Sequence, residues 1–583
     1  MAGPSLRAKG SSKSKNTSNS SSSTSSTSWT KGNEASWASS TTSTTTFATT
    51  IHEHGGNVEA SGTKKSSTTT TTVSSSKLSL AVHRYSIWLE ENQLKRYAPW
   101  IAIAIAVLVR CTISLGPYSG LGVPPRFGDY EAQRHWMELT LHRPVRQWYS
   151  DKSKWWDLDY PPLTAYVSWI CGYVTNREKS TLSGNLINPE WYAWETSRGY
   201  ESQEAKLYMR ATVLVCDLVV YLSGVIVFVK RWFDNKPWTR QHTALILILL
   251  QPGLILIDHG HFQYNSVMLG FVLWAVACFL NDQDVLGSIF FCLALGFKQM
   301  ALYFSPAVFS YLLGKSLRQG FFGCIWKLIK LGIAVILTLG LLFSPWLQSQ
   351  EEILQVINRI FPVFRGLYQD KVANVWCAVN VVVKIRDIFD TKDLLKFSTL
   401  ATLLAFLPSC LHLLVKPTKR GLIYSMINAS LSFFLLSFQV HEKSILIPAL
   451  PVTLLILDEP AAASLFNTMA TFSMFPLLRQ EALELPYFVL IGFWIWMTWG
   501  TFKTASGLMQ FAATLNLLVT VSIHLAELLV PPPARYPDIY PVLNSLWNAA
   551  GFGLYWIFFN YRQFTLVNTP KMGLRVTKPS KLE

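Results

Sequence analysis

Long apolar runs recur along most of this chain and limit its possible folds more than any other feature. A helix needs about 20 apolar residues to cross a ~30 Å hydrocarbon core, where every backbone polar group must be satisfied within the segment. About fourteen such runs follow residue 97, so the sequence predicts an all-α polytopic membrane protein with about 14 transmembrane helices. The runs lie near 98–116, 210–229, 242–258, 265–281, 285–299, 300–314, 326–346, 397–415, 421–440, 444–458, 462–478, 486–502, 507–530 and 541–560.

Basic residues lie in short clusters at the ends of these runs. The formal net charge is +16, but clusters such as "KRWFDNKPWTRQH" and "KPTKR" are typical of cytoplasmic loops rather than of nucleic-acid binding. If the N-terminal tail is cytosolic, these clusters and the C-terminal end fall on the cytosolic side. Polar loops 117–209 and 347–396 then face the lumen, as does the short turn "QVHEKSIL", provided that 373–389 forms a helix on the membrane surface and does not cross.

The first 80 residues differ from the rest of the chain. They are mostly Ser and Thr with Lys, Gly and Asn, and they contain too few apolar residues to form a core. We therefore expect residues 1–80 to be a disordered cytosolic tail and residues 81–583 to be the transmembrane domain.

The loop 117–209 is too long to be a simple connector. In "RFGDYEAQRHWMELTLHRP", Glu131, His135 and Glu138 recur at helical spacing, which predicts an amphipathic helix lying on the membrane surface. Asp129 stands at the expected helix start, where it is either an N-cap or a site residue. In "WWDLDYPPL", the proline pair presents Asp159 from a stiff turn.

Three other polar positions stand out in the apolar part of the chain. "DHGHFQYN" contains two His, but no third metal ligand at a diagnostic spacing, so we interpret it as a polar turn whose Gln263 and Asn265 bind sugar hydroxyls. Lys298 lies within an apolar region and is expected to pair with Asp217 or to mark a helix break. Arg110 is near the end of its run and can snorkel, so it is assigned no role.

Five motifs together carry a resemblance to a known family: "GDYEAQRHWMELT", "WDLDYPPLTAY", "DHGHFQYN", "FKQMALY" and "HEKSILIP". The chain resembles the endoplasmic-reticulum glucosyltransferases that use dolichyl-phosphate glucose, from about Arg84 to the C-terminus. The resemblance implies the GT-C architecture in a multi-pass membrane protein. It further implies glucose transfer to the terminal mannose of the lipid-linked oligomannose precursor of N-glycans, on the luminal side, with an α-1,3 linkage and without metal or cofactor.

The resemblance also implies roles for individual residues. The catalytic acidic residue of the family corresponds to Asp129, whose carboxylate would act as the general base of an inverting single displacement. The leaving phosphate needs positive charge, for which Arg365, Lys371, His441 and Lys443 are the candidates. The remaining predicted substrate-binding residues are Glu131, His135, Asp159 and Gln263.

Two alternatives remain open from the sequence. One is the sister enzyme that adds the second glucose, since "LDYPP" and "HEKS" look shared with it, whereas "GDYEAQRHWME" looks particular to the enzyme that adds the first. The other is a polytopic lipid or sugar transporter, which would have a similar composition. No convincing internal repeat is evident and the polar motifs lie in loops, which favours the enzyme.

Overall fold

The computed structural model describes residues 80–125, 127–151, 155–177, 188–361 and 371–566. Within these ranges the chain forms helices, turns and loops, and no strand. The prediction of an all-α membrane protein is therefore confirmed. The predicted Ser/Thr tail lies almost entirely outside the described residues.

The first half of the chain contains twelve α-helices among its described residues. They are α1 Ala81–Glu91, α2 Ala98–Ser114, α3 Gly128–His142, α4 Pro162–Arg177, α5 Gln203–Cys216, α6 Ser223–Trp232, α7 Trp238–Leu249, α8 Pro252–Ile255, α9 Asn265–Leu280, α10 Asp284–Phe297, α11 Ser305–Leu317 and α12 Gly320–Phe343. Single π-helical turns join α5 to α6 and continue α8, at Asp217–Leu222 and Leu256–Phe262.

The second half contributes eleven more α-helices in the described ranges. They are α13 Gln350–Ile360, α14 Val375–Val382, α15 Ile385–Ile388, α16 Thr391–Val415, α17 Lys419–Leu436, α18 Leu446–Leu454, α19 Pro460–Ser473, α20 Phe475–Gln480, α21 Glu484–Thr498, α22 Gly507–Leu529 and α23 Ile539–Leu566. The predicted helix 373–389 is thus formed as the two short helices α14 and α15, and its place on the membrane surface stays a prediction.

Six helical stretches in the described part of the chain are long and apolar enough to cross a membrane. They are Gln203–Trp232, Trp238–Phe262, Gly320–Trp346, Thr391–Val415, Glu484–Thr504 and Gly507–Leu529. Each matches one of the predicted apolar runs to within one residue at its ends or contains it, and three further runs coincide with the shorter apolar helices α2, α9 and α10. The total of fourteen spans stays a prediction.

Arg110 is buried rather than snorkelling, so that prediction is wrong. It is only 1% exposed, and its Nε donates to Asp217 Oδ2 at 2.5 Å, while Nη1 donates to the Leu249 carbonyl at 3.0 Å. His259 Nε2 lies 2.8 Å from the same Asp217 oxygen. The reason is that neighbouring segments bring the Asp217 carboxylate and the Leu249 carbonyl next to Arg110. The sequence of one apolar run does not show which groups of other segments lie beside it.

Of the two predictions for Lys298, a helix break and an ion pair with Asp217, only the first is confirmed. It ends α10 in an extended conformation, which confirms a helix break at this position. The predicted pairing with Asp217 is wrong, because Asp217 is held by Arg110 and His259, and Lys298 Nζ instead donates to Asn265 Oδ1 at 2.6 Å.

Helix α3 is enclosed by protein and is not an amphipathic surface helix as predicted. Every residue from Tyr130 to Thr140 is buried. The polar side chains can be buried because they satisfy one another: Arg134 binds Glu131 through two hydrogen bonds of 2.7 Å and Glu138 through one of 2.6 Å. Helix α4 packs alongside and covers this region.

Candidate active site

A tight crossing of the backbone presents Asp129 at the start of α3. Gly120 and Gly128 both have positive φ, at 78° and 65°, which glycine adopts without steric cost. A Cβ on Gly120 would lie 2.0 Å from the Phe127 carbonyl carbon, so the two segments touch backbone to backbone. Ser119 Oγ then accepts the Asp129 N–H at 3.2 Å.

The Asp129 carboxylate is bound by other segments and does not cap its own helix. Phe127 occupies the N-cap position without a side-chain bond, so the N-cap interpretation of Asp129 is wrong. Three side chains converge on its Oδ2: His261 Nε2 at 2.9 Å, Gln263 Nε2 at 2.5 Å, and Lys443 Nζ. Asp129, Gln263 and Lys443 were all predicted site residues, and the fold brings them together.

Two further contacts anchor the segment that carries His261 and Gln263. Arg210 donates to the Gly260 carbonyl at 2.6 Å and to the Pro117 carbonyl at 2.8 Å. The Ser119 N–H donates to the His261 carbonyl at 2.9 Å. The polar turn predicted from "DHGHFQYN" is therefore formed as a buried helical turn, fixed to the loop before α3.

The charges around Asp129 determine its protonation. Burial alone would raise the pKa of this carboxyl, but Lys443 and the hydrogen-bonded His261 hold the pKa well below its ordinary value. Burial would lower the pKa of the Lys443 ammonium, yet Asp129 raises it above the usual value. Burial raises the pKa of the neighbouring Glu442. Asp129 is therefore an ionised carboxylate and Lys443 a cation at neutral pH.

A second layer of contacts orients Gln263. Its Oε1 faces Lys298 Nζ at 3.4 Å and the Tyr160 hydroxyl at 3.5 Å, so its amide N–H₂ must point towards Asp129. Asn265, which holds Lys298, donates in turn to Asp258 Oδ1 at 2.8 Å. Gln263 and Asn265 thus bind protein groups, and their predicted bonds to sugar hydroxyls stay predictions.

Replacing Gln263 by leucine is expected to lower the enzymatic rate roughly 10-fold, because Asp129 Oδ2 would lose one of its three donors and a hydrogen bond to a charged group contributes about 1.5–3 kcal/mol. The initial rate of the variant, compared with that of the wild-type protein on the same donor and acceptor, measures this effect. Gln283→Leu, at an exposed position between α9 and α10, is the control. An unchanged rate in Gln263→Leu would mean that this contact does not serve the reaction.

Two residues of this cluster were missed by the sequence reasoning. His261 was considered only as a metal ligand, and Glu481 was not considered at all. Glu481 lies between α20 and α21, and both its oxygens approach His261 Nδ1, at 2.6 and 2.7 Å. The only available signal was that His261 stands two residues before Gln263 in one motif, and nothing local to Glu481 marks it.

Glu131 and His135 lie away from Asp129, within the polar network of α3. Glu131 binds Arg134 and also accepts the Trp155 indole N–H at 2.9 Å. His135 Nδ1 is 3.4 Å from Glu138. The structure shows these residues holding α3 in place, and their predicted contact with substrate stays a prediction.

The other predicted site residues have varied positions. Lys371 Nζ lies 3.0 Å from Asp538, next to α23, and not in the Asp129 cluster. Asp159 is half-buried and acts electrostatically on Lys298. His441 is half-buried beside Lys443, at the turn before α18. Arg365 lies outside the described residues.

The arrangement suits proton abstraction by Asp129. Oδ2 is occupied by three donors, whereas Oδ1 has no hydrogen-bond partner among the residues that the structure describes. The side chain is 28% exposed, so an incoming hydroxyl can reach it. An ionised carboxylate with one oxygen held and the other accessible can act as a general base.

Comparison with known proteins adds independent evidence. The profile of the ALG6, ALG8 glycosyltransferase family matches residues 102–559. The "Probable dolichyl pyrophosphate Man9GlcNAc2 alpha-1,3-glucosyltransferase" of Schizosaccharomyces pombe is 45% identical over 76% of this chain and 88% of its own length. The proteins named "Dolichyl pyrophosphate Man9GlcNAc2 alpha-1,3-glucosyltransferase" from Gallus gallus and Saccharomyces cerevisiae are 44% and 40% identical, over 79% and 80% of this chain and 95% and 91% of theirs.

Proposed function

The chain belongs to the ALG6, ALG8 glycosyltransferase family, and on this basis we propose that it transfers glucose from dolichyl-phosphate glucose to the terminal mannose of dolichyl-pyrophosphate Man9GlcNAc2. The linkage formed is α-1,3, and the product is the first glucosylated form of the N-glycan precursor. The enzyme resides in the endoplasmic-reticulum membrane with its site luminal and both termini cytosolic. Membership in a glycosyltransferase family leaves the transporter alternative without support.

The single observation that carries the mechanism is the environment of Asp129. In the proposed reaction, an acceptor hydroxyl donates its proton to Asp129 while its oxygen attacks the anomeric carbon of the glucose. The bond from that carbon to the phosphate oxygen breaks, and its electron pair leaves with dolichyl phosphate. One displacement inverts the anomeric configuration, so no second carboxylate is required as nucleophile.

The departing phosphate needs positive charge close to Asp129. Lys443 can supply this charge because it is a cation of the Asp129 cluster and its side chain is 19% exposed. Lys298 is a second ammonium, and Gln263 connects it to the same cluster. Positive charge placed where negative charge develops lowers the barrier without a proton donor. His441, Lys371 and Arg365 remain proposed phosphate ligands, and Asp159, Glu131 and His135 remain proposed contacts to the sugar substrates.

Replacing Lys443 by methionine is expected to lower kcat about 10–100-fold, because both the phosphate and the ordering of Asp129 would lose a charged hydrogen bond. Lys396→Met is the matched control: its ion pair with Asp393 is exposed, so the rate should stay within about twofold. Equal losses in the two variants would contradict the assignment of the phosphate to Lys443.

The experiment that tests the proposed function is glucose transfer by the purified protein. Dolichyl-phosphate glucose is supplied with either the unglucosylated or the monoglucosylated lipid-linked oligosaccharide, and the products are separated by mass. Transfer to the unglucosylated lipid alone is expected. Transfer only to the monoglucosylated lipid would identify the sister activity that adds the second glucose, and no transfer to either would refute the proposal.

A further inference from the structure

The carboxylate of Glu481 and that of Asp129 are joined by one imidazole. Glu481 approaches Nδ1 of His261 at 2.6 and 2.7 Å, and Nε2 of the same ring lies 2.9 Å from Asp129 Oδ2. The Glu481 side chain is 8% exposed and that of His261 is 2% exposed. Three segments far apart in the chain therefore form one buried carboxylate–imidazole–carboxylate chain that ends at the proposed base.

We propose that Glu481 is a positioning residue for glucose transfer, acting on Asp129 through His261. The inference rests on the proposed function, and it adds a residue that lies outside every motif of the sequence. A carboxylate can only accept hydrogen bonds, so Nδ1 of His261 must carry a proton towards Glu481 and Nε2 one towards Asp129, which makes the ring an imidazolium. Glu481 thereby fixes the rotation of the ring and determines which ring nitrogen faces Asp129. In other enzymes, a carboxylate bonded to the second ring nitrogen of a catalytic or metal-binding histidine has the same effect.

No other described side chain performs this task for His261 Nδ1. Lys443 Nζ, at 2.9 Å, contacts Nε2, the nitrogen on the Asp129 side. Arg210 donates to the carbonyls of Pro117 and Gly260 and not to the ring. Without Glu481, a buried ring nitrogen would lose its partner among the described residues, and the ring would be free to turn away from Asp129.

The expected consequence concerns the chemical step rather than substrate binding. Asp129 Oδ2 is held by His261, Gln263 and Lys443, which leaves Oδ1 directed to the acceptor. If His261 turns, the carboxylate loses one of these donors and its orientation becomes less defined. Glu481 itself lies two hydrogen bonds away from Asp129 and does not reach the substrates, so their affinity should change little.

The test is Glu481→Gln, with Glu484→Gln as the matched control. Glu484 lies in the first turn of α21, only three residues from Glu481, and forms no ion pair in the described part of the chain. We expect kcat to fall about 10–100-fold in Glu481→Gln, as for other carboxylates that orient a functional histidine, with KM within about twofold. Glu481→Asp, which keeps the carboxylate, should recover part of the loss.

A double substitution separates positioning from a general structural effect. If Glu481 acts through His261, adding Glu481→Gln to a His261→Asn protein should cause less than about a twofold further loss. Fully multiplicative losses would overturn the inference, and so would a raised KM with unchanged kcat.

The coupling can also be measured without substrate. The wild type, the two single variants and the double variant should show non-additive midpoints of thermal unfolding, by about 1–2 °C for a chain of this size. Additive midpoints would overturn the inference. A wild-type protein that transfers no glucose would instead refute the proposed function, while this measurement would still decide whether Glu481 and His261 are coupled.

Discussion

Asp129→Asn is expected to lower glucose transfer about 10³-fold, within the range of about 10²–10⁴ that a positioned general base contributes. The amide keeps the size of the side chain and can still accept one hydrogen bond from Lys443, His261 or Gln263 at its remaining oxygen. It cannot take the proton of the acceptor hydroxyl. Initial rates with dolichyl-phosphate glucose and the unglucosylated acceptor lipid measure the loss.

Two controls make the result specific to the base. Asp234→Asn, at an exposed position between α6 and α7, should retain the wild-type rate. Asp129→Asn should unfold at a lower temperature than the wild type, because Lys443 loses its charged partner, but it should remain folded at the temperature of the assay. If Asp129→Asn keeps most of the wild-type activity, Asp129 is not the base. Asp159, which interacts electrostatically with Lys298, is then the next residue to replace.

The pH dependence follows from the same carboxylate. Burial opposes ionisation, but Lys443 and His261 hold the pKa of Asp129 below its ordinary value, so the folded protein protonates it only in strong acid. The base is therefore present throughout the range from about pH 5 to 8, and kcat/KM should show no loss from Asp129 over that range. Lys443→Met removes one of the two positive partners, so any acid limb caused by Asp129 should move to higher pH.

The second large effect concerns folding. Arg110→Met is expected to destabilise the protein by about 3–5 kcal/mol, because removing one partner of a buried ion pair leaves the charge of the other, here Asp217, uncompensated. Asp217 would keep only His259 as a partner, and its Oδ1 already lacks a hydrogen bond in the described structure. The yield of monodisperse protein in detergent and its thermal midpoint measure the effect.

Neutralising both partners should reverse most of this loss. Arg110→Met combined with Asp217→Asn removes the isolated charge, so the double variant is expected to be clearly more stable than Arg110→Met alone. Arg96→Met, at an exposed position just before α2, serves as the control and should unfold like the wild type. A destabilisation of Arg110→Met no larger than that of the control would show that the buried pair does not stabilise the fold.

Much of the architecture could be predicted because a membrane span is a local property. The run 326–346 is apolar over enough consecutive residues to require a helix, and the helical stretch Gly320–Trp346 indeed covers it. The same reasoning failed for α3, where the helical period of Glu131, His135 and Glu138 was correct but the surface placement was wrong. Periodicity shows which residues share a face, and only packing shows what covers that face.

The fold class, the helical runs and, through the family motifs, the residues Asp129, Gln263 and Lys443 can be read from the chain alone. Their connections appear only after folding: His261 bonds to Asp129, Glu481 supports His261, and Asp217 binds Arg110 rather than Lys298. The difference lies in the range of the interactions. Hydrophobic length acts within one segment, whereas a hydrogen bond acts over about 3 Å between segments that folding alone brings together.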